Sequence, residues 1–255
     1  MATDLFAGVA TELGKLRRSL GWSVVVGLPV IMVFAGAFTT VVSGEPLADG
    51  WHTLWLRSLV FYGLLPLTLG LAILASLAWR TEHRDGNWNA LMTTPVPSWQ
   101  IVLSKTLAIG LLAAAMQVLL LLVVIAAGTL LFGLPGMLPA RYFAITAVLI
   151  IATLPVVALQ SALSLAIRSV AVPVAIAAAG AGVAAVALMA KLPGVAYLLP
   201  YAVTARSTQL ATGTFGDSGR LTAPTVVALL IASVLLTAAV TVLAARYLDR
   251  RDVHA

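Results

Sequence analysis

The residues of this chain that could carry chemistry are few, and their spacing does not favour it. There are no cysteines, and the three histidines, His52, His83 and His254, lie far apart without the spacing of metal ligands. The nearest approach to a phosphate-binding loop runs from Gly8 to Lys15. Five residues separate its glycines where four are needed, and Leu16 stands where Ser or Thr would hold magnesium. No His-Glu-x-x-His, Gly-x-Ser-x-Gly or paired-Asp motif occurs, so metal-assisted hydrolysis, acyl transfer and lipid transfer all lack a candidate constellation. The chain is therefore not expected to be an enzyme, to hold a metal or to bind a cofactor of its own.

What stands out instead is a polar island, Trp79 to Ser98, between two long apolar runs. It carries Arg80, Glu82, Arg84 and Asp85, two Trp, a Gly and two Pro in a protein that is 9% charged. A simple connection between two helices could be far shorter. Asn87 to Thr93 is long enough for a short helix between a Gly break and a Pro break. Trp88, Leu91 and Met92 lie at i, i+3 and i+4 and would share one side of it. Such an element suits docking at a bilayer surface; the plainer reading has Trp88 anchoring the loop among lipid headgroups.

The elements that must position this island are membrane helices. The chain is 61% hydrophobic with mean hydropathy +1.06, and apolar runs of 18 or more residues read as spans. Six are expected, at about 22–42, 58–79, 103–132, 143–167, 171–190 and 224–246. The third run is longer than a bilayer needs, so its first turns stand in the cytoplasm, with Ser98 as N-cap. With both termini inside, ten basic residues are cytoplasmic, among them Lys15, Arg80, Arg84, Lys105, Arg168 and Arg246. Five, Arg57, Arg141, Lys191, Arg206 and Arg220, are outside, which favours this orientation. The net charge of +6 is explained by this topology and does not imply nucleic-acid binding. Trp22 and Trp79 would then sit at the inner interface, and Trp51 and Trp55 at the outer one.

Residues 4–20 read as an amphipathic interfacial helix. Leu5, Val9, Leu13, Leu16 and Leu20 form one face, and Asp4, Thr11, Lys15 and Arg18 another. Residues 191–223 are too apolar for a free loop and too Pro-broken for a span, so an external re-entrant segment is expected. No acid or base is expected deep in the spans. Gln117 and Gln160 are candidates for a translocation path, or for tying helices together by hydrogen bonds. Ala175, Ala179, Gly180 and Ala184 allow a close helix contact, within the chain or with a second copy.

The stretch Glu82-x-x-x-Gly86-Asn-Trp-x-x-Leu91-Met-x-x-Pro95-Val-Pro-x-x-x-Ile101-x-x-x-Lys105 resembles the pattern of transmembrane permease subunits of type-2 (ABC-2-type) ABC exporters. The resemblance covers the whole chain, and the Trp after Gly-Asn is similar to the lantibiotic and peptide-antibiotic immunity branch. It implies an all-α membrane protein with six spans and an N-terminal interfacial helix. It also implies a separate ABC ATPase subunit carrying ATP and magnesium, and a second permease chain, identical or a sister. In that frame Trp88, Leu91 and Met92 face the ATPase as a coupling helix, while Glu82, Arg84 and Arg168 meet its charges. The substrate would be hydrophobic or amphipathic: a peptide antibiotic, drug or lipid. The alternatives are a non-transporting membrane sensor or assembly factor and, with less support, an ion-coupled carrier.

Overall fold

The computed structural model describes residues 2–17, 19–44, 47–84, 87–88, 96–192, 194–215 and 217–252, all helix and connections. The helices are α1 (Ala2–Leu16), α2 (Gly21–Ser43), α3 (Gly50–Leu64), α4 (Pro66–Arg80) and α5 (Ser98–Ala126, prolonged by a π-helical turn Ala127–Leu131). They continue as α6 (Ala140–Ala152), α7 (Leu154–Ala166), α8 (Ala171–Met189), α9 (Val195–Leu198), α10 (Pro200–Thr208) and α11 (Ala223–Asp252). Five helical segments are long and apolar enough to cross a membrane, and the bent pair α3–α4 qualifies as a sixth. Their apolar residues are not all turned inward. Only 11% of the apolar window of α11 is buried, and Ile231, Val234, Leu235 and Leu243 are exposed, as lipid-facing helices require.

The second span differs from its expected limits. Helix begins at Gly50, eight residues before 58, and bends by 51° at Leu65–Pro66. Pro66 has no N–H for the Tyr62 carbonyl and its ring crowds the preceding turn. Polar residues such as His52 and Arg57 dilute the hydropathy of this first half, although it packs inside the protein. Trp55, Leu59 and Tyr62 are fully buried. The aromatic belt changes with it. Of the four tryptophans expected in it, Trp51, Trp55 and Trp79 lie inside the protein and Trp22 is exposed. Trp51 donates to the Pro135 carbonyl (3.0 Å) and Trp79 to Ser161 Oγ (2.9 Å). Ser98 is not an N-cap: Pro97, extended at ψ 143°, takes the flanking position and Ser98 is the first helical residue.

Residues 194–215 fold into α9 and α10, and α10 is packed among α3, α6, α7, α8 and α11. Two glycines make its seat. A Cβ on Gly63 would meet Thr208 Oγ1 at 1.9 Å, and one on Gly180 would meet the Tyr201 ring at 2.2 Å. Thr204 donates to the Ala152 carbonyl (2.8 Å) at the break between α6 and α7. The small residues of α8 thus divide. Gly180 and Ala184 face the chain's own interior, whereas Ala175 and Ala179 are exposed.

Candidate coupling site

The polar island hangs from the end of α4. Trp79 (α4), Val102 (α5), Leu165 (α7), and Ala244 and Leu248 (α11) form one apolar cluster, so these helix ends share one end of the bundle. Beside that cluster lie four charges. Lys105 Nζ contacts Glu12 (2.5 Å) and Glu82 (2.9 Å), and Lys15 Nζ contacts the same two carboxylates at 2.8 Å each. The two lysines and two glutamates alternate and sum to zero. Lys105 is 1% exposed; it also donates to the Ala78 carbonyl (3.3 Å) and lies 5.0 Å from the Trp79 ring centroid. Burial pushes the Glu82 carboxyl up, but Lys105 and Lys15 hold it below its ordinary range. Burial pulls Lys15 down, and the two carboxylates more than reverse that and raise it.

This geometry revises two expectations. Glu82, expected to meet a partner's charges, is buried and committed to two lysines of its own chain. Helix α1 ends at Leu16, where Ser19 Oγ donates to the Leu16 carbonyl, rather than running to residue 20. It packs along α5 instead of merely lying on a surface. Gly8 permits this, since a Cβ there would stand 2.6 Å from Ser104 Oγ. Glu12 lies on the buried side of α1 with Leu16, and the sequence reading missed it. The signal was an acid on the apolar stripe, which can be buried only against a cation.

The turn after α4 is fixed by further contacts. The backbone N–H groups of Glu82 and His83 both donate to the Trp79 carbonyl (3.1 and 3.2 Å). His83 Nε2 donates to the Ser164 carbonyl of α7 (2.8 Å), and its ring stacks on Trp88, centroids 5.5 Å apart and planes within 5°. Trp88 is half-buried and packs against the apolar cluster at the helix ends. Arg84 and, in the α7–α8 turn, Arg168 are exposed at the same end. Leu91 and Met92 lie outside the described residues. Gln117 and Gln160 are fully buried within the one chain. Gln117 donates to Tyr62 Oη (3.2 Å), tying α5 to α3; Gln160 donates to Tyr201 Oη (2.8 Å), tying α7 to α10.

Among the described residues no group of His, Asp or Glu could hold a metal ion. Fold and site define a multi-pass helical membrane protein whose turn after α4 is tied to the neighbouring helices at one end. A family model described as ABC-2 family transporter protein matches residues 9–183, from within α1 into α8. The chain belongs to this family and is a membrane component of an ABC-2 family transporter. No curated protein matches the sequence significantly.

Proposed function

We propose that this chain is the membrane-spanning subunit of an ATP-driven exporter, in which two permease chains work with two ATPase subunits that bind ATP and magnesium. The observation that supports it best is the mounting of the turn after α4, residues 80–84, with Trp88. Glu82 ties it to α5 and α1 through Lys105 and Lys15, and His83 ties it to α7, with Trp88 stacked beneath. A push on this segment would reach three helices at once, as conversion of ATPase closure into helix movement requires. Arg84 and Arg168 would face acidic groups of the ATPase, with Trp88, Leu91 and Met92 at the contact. This end would be cytoplasmic, in keeping with the positive-inside count. The exposed Ala175 and Ala179 of α8 would allow a second permease chain to approach closely.

The interior supports one substrate class over others. Among the described residues, those buried as a whole and charged are Glu12, Glu82 and Lys105, all at the coupling end, and at the opposite end the Asp217 carboxyl is buried against Arg206. Between these two ends the buried polar groups of the described residues are neutral, which speaks against an ion relay of the kind carriers use. A hydrophobic or amphipathic substrate fits best, and a peptide antibiotic would agree with the immunity-like signature. The complex reconstituted with its ATPase should transport on ATP without an ion gradient. Trp88→Ala and Arg84→Glu/Arg168→Glu should lower ATPase co-purification and coupled turnover. Transport that survives in an ATPase-dead complex and collapses with a protonophore would overturn the reading.

A further inference from the structure

We propose that the end of the bundle opposite the charge cluster holds a site for an anionic phospholipid, its phosphate beside Lys191 and Arg206 and a hydrocarbon chain in the groove between α9 and α11. The phosphate pocket, about 140 Å³, lies between the end of α8 and the 194–215 segment. It is comparable to the ~150 Å³ cavity that takes up benzene, so it admits a headgroup and not a whole lipid. Lys191, Arg206 and Tyr197 are its polar walls, and Leu188, Ala196 and Phe215 its apolar ones.

The charge in this pocket is unbalanced. Arg206 contacts Asp217 (3.3 Å), whose other oxygen accepts the backbone N–H groups of Gly213 (3.2 Å) and Gly219 (2.8 Å). The loop therefore holds Asp217 on Arg206. Two cations against one carboxylate leave one positive charge, which a single phosphodiester neutralises. Lys191 (φ 53°) and Phe215 (φ 49°) both hold left-handed backbone to line this pocket. For non-glycine residues that backbone is strained and persists where the surroundings impose it.

Tyr197 also lines a second cavity, a groove of about 460 Å³ bordered by Leu198 and by Ala228, Ile231 and Leu235 of α11. It runs down α11 from Ala228 to Leu236, about 12 Å of helix at 1.5 Å per residue. A basic pocket and an apolar groove that share Tyr197 as a wall match a molecule with an anion at one end and a hydrocarbon chain at the other. A zwitterionic lipid would bring an ammonium group to a pocket already in positive excess. Free phosphate would leave the groove unused.

The inference requires only that this end lie at a bilayer face and is independent of any ATPase, so its failure would leave the exporter reading standing. The test uses the full chain in mild detergent, titrated by native mass spectrometry with phosphatidylglycerol, phosphatidylcholine or inorganic phosphate in separate arms. One phosphatidylglycerol should bind per chain, well ahead of phosphatidylcholine and not displaced by millimolar phosphate. Lys191→Asn removes the amine while keeping a residue that tolerates left-handed backbone. It should weaken phosphatidylglycerol about tenfold, the loss of one charge-assisted contact, with an unchanged unfolding midpoint. Lys191→Arg should retain binding, and Leu235→Trp, which fills the groove, should weaken it. Equal binding of the two lipids, displacement by inorganic phosphate, or full binding in both Lys191→Asn and Leu235→Trp would overturn the site.

Discussion

Replacing Lys105 with Met tests the charge cluster most directly. The change removes a fully buried ammonium with contacts to Glu12, Glu82 and the Ala78 carbonyl and leaves a side chain of similar length. Two nearly buried carboxylates then share Lys15, whose side chain is 35% exposed. Removing one partner of a buried ion pair typically costs about 3–5 kcal/mol, most of it the penalty of the stranded charge. Because Lys15 still compensates part of that charge, the expected loss is about 3 kcal/mol, at the lower bound. The triple variant Glu12→Gln/Glu82→Gln/Lys105→Met removes the stranded charges as well, and should lie within about 1 kcal/mol of the parent, since neutral replacement of a buried pair is often tolerated. Equilibrium unfolding in mixed micelles reads both. A single variant as stable as the parent, or a triple variant as unstable as the single, would refute the argument that Lys105 acts by neutralising the two glutamates.

Other outcomes follow from particular contacts. Because the chain has no cysteines, Gly8→Cys/Ser104→Cys should give one clean disulfide: a Cβ at Gly8 would lie 3.3 Å from Ser104 Cβ, near the ~3.5–4.5 Å of real bridges. A gel shift absent under oxidant would mean that α1 is not docked on α5. The shifts of Glu82 and Lys15 set a pH window for that docking. Glu82, held below its ordinary value, contributes above it, and the contribution is lost as pH falls through the depressed value. Lys15, held above its ordinary value, contributes below it and loses that contribution as pH rises through the raised one. Docking of α1 on α5, read by a distance probe that does not itself titrate, should therefore be flat near neutrality and fall at both extremes. Gly63→Leu, which would drive into Thr208, should cost about 1–3 kcal/mol by overpacking and speed protease cleavage within 209–220. Faster cleavage in Gly14→Leu as well, a position with open space, would remove the steric explanation.

Hydropathy alone made the spans legible, and the polar island announced itself by composition. Long-range partners left no such trace. Lys105 reads as one more basic residue at a helix start, and only the fold brings it to Glu82, 23 positions away, and to Glu12, 93 positions away. The buried tryptophans misled for a related reason. A Trp near a span end fits a headgroup belt equally well, and only the partners of Trp51 and Trp79 show that they are internal. Gln117 and Gln160 were readable as helix ties from their type, but their tyrosine partners were not. The early start of α3 was hidden because its polar residues face protein, a burial that a hydropathy window cannot distinguish from solvent exposure.

The separation of Glu12 from Lys105 also sets an order of events during synthesis. Helix α1 is complete at Leu16, long before its acceptor exists, because 89 residues must still be added before Lys105 appears. At roughly 5–20 residues per second that is about 5–20 s in which α1 has no place to dock. In that interval Glu12 and Lys15 have only each other, as neighbours on one helix face, and Leu16, later buried, remains uncovered. A short amphipathic helix in that condition belongs on the membrane surface, with its apolar stripe in the lipid. On this timetable α1 would rest at the membrane surface until Lys105 is made and would dock on α5 only then.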